Sequence, residues 1–373
     1  MRKLSAFASA LAMALAATAA PAADYTYGSW VPASDYINAQ ALPEVFKRID
    51  EATGGEVKWH LIAGGQLAGG VETFAAVQDR LMDAGVAATN YVPNLLPSTA
   101  TLYGLAVPGD DPVAAAGAAN EVVMLHCPSC IKELKALNMV GIGGYASAPY
   151  LLICREPIET VAQLKNLRVR ASGAPLNIMQ MAGAKTVQVS LIETVSLLQR
   201  GGVDCTTGIG DWLKTFGYGD FAKNITDFSL GVSAPILGMI INHDVWDGFS
   251  DDQKRAHLKA IVHLTAAHTI NNFIIKTQKT MADQIVNNGV KMIEPKNPEE
   301  WQALMDHFIK EQRNIAIDFA KGFGVEEPEV FLDAYDKALV KWRGLSAEIG
   351  TDVGAFEKAL WDEVYSKVDP ESL

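Results

Sequence analysis

The stretch DDQKRAHLKAIVHLTAAHTINNFIIKTQKTMADQIV, Asp251 to Val286, contains neither glycine nor proline. With Ser250 or Asp251 as N-cap, it predicts one continuous helix. At 1.5 Å per residue such a helix is on the order of 50 Å long, more than one small lobe can cover. It is therefore expected to lie along two. Upstream of it, short strand-like runs alternate with amphipathic helical patterns, the order of an α/β protein. Tyr25–Trp30, Val57–Ile62 and Gly85–Thr89 read as strands. Between them, Ile37, Leu42, Val45, Phe46 and Ile49 form one helical stripe ended by Gly54-Gly55, and Thr73–Met82 forms a second helix. Met139–Tyr145, Tyr150–Cys154, Leu167–Arg170 and Pro235–Asn242 read as further strands, and Ile192–Arg200 as a helix. From Pro298 onward the pattern is helical, and its aromatic residues (Trp301, Phe308, Phe319, Trp342) read as core.

The chain has 373 residues, 49% of them hydrophobic and 20% charged, which excludes a disordered low-complexity protein. The 43 acidic against 31 basic residues give a net charge of −12 and argue against a nucleic-acid partner. Met1-Arg2-Lys3, the apolar run Leu4–Ala20 and the small-x-small step Ala20-Pro21-Ala22 have the layout of a cleaved secretory signal peptide. No later stretch approaches the roughly 18 apolar residues of a membrane span. The mature protein is expected to be exported, without access to cytosolic ATP or nicotinamide cofactors.

Four stretches then carry a resemblance. They are Thr53-Gly54-Gly55 with Gly65-Gln66-Leu67; Pro157–Arg170, containing Leu164-Lys165-Asn166-Leu167-Arg168-Val169-Arg170; Gly183-Ala184 through Gln199-Arg200-Gly201 and Val203-Asp204; and the glycine-free helix after Phe249. In this order the chain resembles the solute-binding proteins of tripartite ATP-independent periplasmic (TRAP) transporters, of the C4-dicarboxylate-binding type. Gln163 and Asn166 stand where that family usually has Asp and Gly. The resemblance implies a two-lobed periplasmic solute-binding fold, type II-like, with crossing strands and a long helix spanning both lobes. It also implies a partner, the TRAP membrane permease, and no chemistry by the binding protein itself. On this reading residues 1–22 are the signal peptide, 23–147 mainly the first lobe and 148–236 mainly the second. Residues 237–250 return to the first lobe, 251–289 form the spanning helix, and 290–373 are helices packed on the lobes.

Arg170 is the first candidate for solute contact. It ends a strand pattern, and ligands of open α/β sheets bind beyond the carboxyl ends of strands. Its guanidinium offers a planar fork to a carboxylate, whereas Arg168 is expected to reach solvent. The resemblance implies the same role for an arginine at this position; the competing role is an ion pair with Glu193. Trp30, Asn90, Tyr91, Tyr150 and Trp212 are further candidates, each near a strand end where core packing is an equal alternative. Two departures from the family pattern bear on the ligand: sialic-acid-type members carry an Asn where this chain runs Asp204-Cys205-Thr206-Thr207-Gly208, and Trp30 replaces a polar residue, so the comparison implies an acid smaller or less hydroxylated than a sugar acid, in an aromatic-lined pocket.

The main rival is His126-Cys127-Pro128-Ser129-Cys130, a C-x-x-C at a predicted helix start, which would suit an exported thiol–disulfide oxidoreductase. The alternative is a local disulfide or buried thiols. Cys154 and Cys205 could pair or stay free. No metal or cofactor is expected: the seven histidines include no H-E-x-x-H, and no glycine cluster ends in the Lys-Ser/Thr of a phosphate loop. A binding protein of an ATP-driven importer shares the two-lobed plan, and the long helix separates the two readings.

Overall fold

The computed structural model describes residues 23–373; the expected signal peptide lies outside them. Among the described residues no helix is long and apolar enough to cross a membrane. Among the described residues eleven strands follow one another: β1 (Ala23–Gly28), β2 (Val57–Ile62), β3 (Ala84–Ala87), β4 (Met139–Tyr145), β5 (Leu151–Cys154), β6 (Arg168–Arg170), β7 (Lys185–Val187), β8 (Cys205–Gly208), β9 (Asn224–Thr226), β10 (Ile236–Asn242) and β11 (Lys291–Ile293). They form two sheets, ordered β2-β1-β3-β10-β4 and β11-β9-β5-β8-β6-β7. Each is the core of one lobe. In the first, β10 runs antiparallel between β3 and β4; in the second, β5 runs antiparallel between β8 and β9. Every residue of β4 and of β10 is buried, as expected for apolar strands covered on both faces.

The chain crosses from the first sheet after β4 and comes back before β10. These two crossings run side by side. Ser147 and Tyr150 donate their backbone N–H groups to Ser233 and Gly231, at 3.0 and 2.9 Å. A pair of hydrogen-bonded segments joining two rigid sheets is the usual material of a hinge.

The long helix is present, with one change from the expected winding. Ser250 caps it through a reciprocal box with Gln253, and residues Asp251–Ala267 are α-helical. His268–Lys276 is wound as a π-helix, after which Thr277–Asn287 is α-helical again. The first part packs on the helix Leu42–Ala52 and on β4; the last part packs on the short helix Trp212–Thr215 of the second lobe. Other corrections are local. The expected helix Thr73–Met82 ends at Gln78, and the expected strand Gly85–Thr89 stops at Ala87 and turns into a 3₁₀ segment over Thr89–Tyr91. The C-terminal helices cover the lobes with a buried face that includes Trp301, Phe308 and Trp342.

His257 of the long helix is fully buried and held neutral. Its Nδ1 faces the Gln253 carbonyl at 2.7 Å, and its Nε2 accepts the Trp59 indole N–H at 2.9 Å. Burial pulls its pKa down to about 4, and that of buried His268 to about 3, from 6.5. Unfolding exposes both rings, so the unfolded chain binds more protons below pH 6.5. Their contribution is complete above 6.5 and is lost as the pH falls toward 4. Asp35, raised to about 6 from 3.8, acts in the opposite sense, adding stability at acid pH that disappears as the pH rises through 6. Two histidines outweigh one aspartate. Urea unfolding between pH 6 and 4 is expected to show stability falling with pH, and His257→Gln should reduce that slope by about 1.4 kcal/mol per pH unit.

Candidate functional site

Residues just beyond the carboxyl ends of β1, β3, β6 and β8 line one cavity between the two sheets. Arg170, Trp30, Asn90, Tyr91, Tyr150 and Trp212 all line it. The structure thus brings the six residues expected from sequence to one place.

Arg170 has no exposed surface. Its Nε and Nη2 donate to the Val189 carbonyl at 3.0 and 2.8 Å, while Nη1 has no hydrogen-bond partner among the described residues. The expected alternative, an ion pair with Glu193, does not form: Glu193 instead closes the capping box of the helix Leu191–Arg200 with Ser190. Among the described residues no carboxylate lies within ion-pair distance of Arg170, so the guanidinium is a buried charge held by one neutral acceptor. Arg168, at the exposed start of β6, ends at the surface and pairs there with Asp204.

Rings build the walls. Trp30 commits its indole N–H to the Val86 carbonyl at 3.1 Å and offers a face, tilted against Tyr91 with centroids 5.8 Å apart. The Tyr91 hydroxyl accepts the Leu191 N–H at 3.1 Å; burial raises its pKa, and Arg170 beside it works against that rise. Tyr103 and Tyr150 share a hydrogen bond of 2.6 Å, and burial pushes Tyr150 up to about 12, so both stay neutral. Trp212 stands edge-on to Tyr150 at 5.8 Å. Asn90 gives its backbone carbonyl to the Gln188 side chain at 2.6 Å, a contact between the lobes at the cavity edge.

Several lining residues have no counterpart among the sequence candidates: Asp35, Tyr103, Tyr145, Ser172, His268 and Phe273. Asp35 lies in the loop that follows Trp30, a position signal that was available. His268 and Phe273 are hidden by helix geometry. Residues five apart on an α-helix point about 140° away from each other, but the π-wound turn carries an i→i+5 repeat. It brings the two rings to 4.6 Å and into the same cavity.

The cavity depends on Gly173, which follows β6 with φ +63° and ψ −145°, a region that essentially only glycine occupies. A Cβ there would lie 2.5 Å from the Tyr103 ring. Gly173→Ala is expected to displace Tyr103 from Tyr150 and to cost about 1–3 kcal/mol, read as a lower midpoint in denaturant.

The rival motif is closed. Cys127 and Cys130 form a disulfide at the start of the helix Pro128–Ala136, with 1% and 0% of their surface exposed. Thiol exchange needs access to sulfur. Cys154 and Cys205, paired residues of β5 and β8, form the second disulfide.

A sequence profile described as "Bacterial extracellular solute-binding protein, family 7" matches residues 28–314. Among solved structures, a TRAP periplasmic solute-binding protein of Bordetella bronchiseptica with bound (R)- and (S)-mandelate superposes with a TM-score of 0.71 at 20% identity, over 86% of this chain and 99% of that one. A TRAP solute-binding protein of Rhodoferax ferrireducens in complex with copurified benzoate gives 0.73 at 12% identity, over 87% and 99%. An extracytoplasmic solute receptor of Bordetella pertussis binding pyroglutamic acid gives 0.68 at 21%, over 84% and 100%. These likenesses share the two-lobed fold with its long helix. The chain belongs to family 7 of the bacterial extracellular solute-binding proteins.

Proposed function

We propose that the protein captures a small carboxylate with a flat or cyclic body in the periplasm and delivers it to the permease subunits of a TRAP transporter. The observation that carries this reading is Arg170: a fully buried guanidinium, without a carboxylate partner, whose Nη1 is left unpaired beside an aromatic cavity. A buried charge of this kind is costly until an anion completes its hydrogen bonds. A ring-bearing acid would fill the space between Trp30, Tyr91 and Trp212 while its carboxylate meets the fork. The relatives with mandelate, benzoate and pyroglutamate carry ligands of that description.

Capture is a shift between open and closed forms. A ligand that touches Arg170 from the second lobe and Trp30 and Asn90 from the first makes its full set of contacts only when the lobes are together, so it favours the closed form. The side-by-side crossings are the hinge. Two buried disulfides suit an oxidising compartment.

A thermal-shift series of ring-bearing carboxylates with their primary amides tests the reading. An acid at 100 times its Kd adds about 2.7 kcal/mol and raises the melting temperature; the amide should not. Amides that stabilise as well as the acids, or acids that give no shift, would overturn it.

A further inference from the structure

The cavity carries a second ionisable group, contributed by the other lobe. Asp35 is 5% exposed and lines the same space as Arg170, but it comes from the first lobe, in the loop between β1 and the helical segment starting at Ile37. Its Oδ1 accepts the Ile37 N–H at 2.9 Å, and its carboxylate takes no other hydrogen bond among the described residues. The same lining includes His268, 2% exposed, whose Nδ1 has no partner among the described residues. The charged groups around Asp35 do not neutralise it by contact. Lys276, the cation that acts on it, is held by buried Asp211 at 3.0 Å, and Tyr145 adds no charge. A buried carboxylate with accepting capacity left over is as incomplete as the guanidinium of the other lobe.

From this pairing we infer that the solute is a monocarboxylic acid carrying a hydrogen-bond donor, O–H or N–H, at the end remote from its carboxylate, and that Asp35 receives this donor. The inference rests on the carboxylate reading of Arg170 and narrows it. Opposite charge at the two ends sets the orientation of the ligand. It also makes the lobes depend on opposite ends of one molecule, which couples recognition to closure. The same carboxylate rejects dicarboxylates, because a second anionic end would be placed against Asp35 in a water-poor cavity. Burial raises Asp35 to about 6, so at pH 7.5 it is mostly ionised and the rejection holds.

Calorimetry at pH 7.5 tests this with matched sets: benzoate against 3- and 4-hydroxybenzoate and against isophthalate and terephthalate, and cyclohexanecarboxylate against 4-hydroxycyclohexanecarboxylate. In the wild-type protein at least one donor-bearing acid should bind ten times or more tighter than its parent, and the diacids should bind more weakly than benzoate. In Asp35→Asn the donor preference should shrink severalfold and the penalty on the diacids should fall. Parents that bind as tightly as every donor-bearing partner, diacids that bind best, or a preference unchanged in Asp35→Asn would overturn the inference while leaving the carboxylate reading intact. If none of the acids binds the wild-type protein, or if Arg170→Met binds them unchanged, both fall together.

Discussion

Replacing Arg170 by methionine is expected to abolish carboxylate binding while leaving the unliganded protein at least as stable as wild type. The two halves of this result have one cause. In the empty protein the guanidinium is buried with a single neutral acceptor, the Val189 carbonyl, and an unpaired Nη1. Replacing a buried charge by an apolar side chain of similar volume is often neutral or stabilising by 1–4 kcal/mol. In the complex the same group would be one half of a buried pair, and removing one partner costs about 3–5 kcal/mol. That is a loss of affinity of more than about a hundredfold. Arg170→Lys keeps the charge but loses the fork, and should fall between the two. Calorimetry and thermal melts of the three proteins check both halves. A methionine variant with unchanged affinity removes Arg170 from the site; one that fails to fold gives it a structural task instead.

The second large effect is on the fold. Cys154 and Cys205 close a loop with a sequence separation of 51, across paired strands in the middle of the second sheet. By chain entropy such a loop stabilises by about 4 kcal/mol, against less than half of that for the three-residue separation of Cys127 and Cys130. The double variant Cys154→Ala, Cys205→Ala should therefore lose more stability in guanidinium chloride than Cys127→Ala, Cys130→Ala. Weakening should also reach the site, because β5 follows Tyr150 and β8 leads to Trp212. Equal losses from the two pairs would contradict this account. A midpoint unchanged in the first variant would do so as well.

Much of this architecture was legible because it rests on strong local signals. A run without Gly or Pro from Asp251 onward can hardly be anything but helix, and its length requires two lobes. Arg170 and Trp212 could be placed because strand ends in an α/β sheet are where ligands go. Asp35 and His268 were not legible. Asp35 sits in the loop that leads into one π-wound segment, Ile37–Ala41, and His268 faces the cavity through another, His268–Lys276. Helical periodicity assumes 3.6 residues per turn, so each π segment rotates the faces that follow it, and nothing in the residue types announces the change. The disulfide partners were equally undetermined, since pairing depends on which strands become neighbours.

The most direct measurement is a crystal structure of the protein with the tightest-binding carboxylate from the thermal-shift series. The account predicts the ligand in the cavity between the sheets, a carboxylate oxygen within 2.7–2.9 Å of Arg170 Nη1, and its ring against Trp30 and Tyr91. A carboxylate bound elsewhere, or one whose density leaves Nη1 still unpaired, would contradict it.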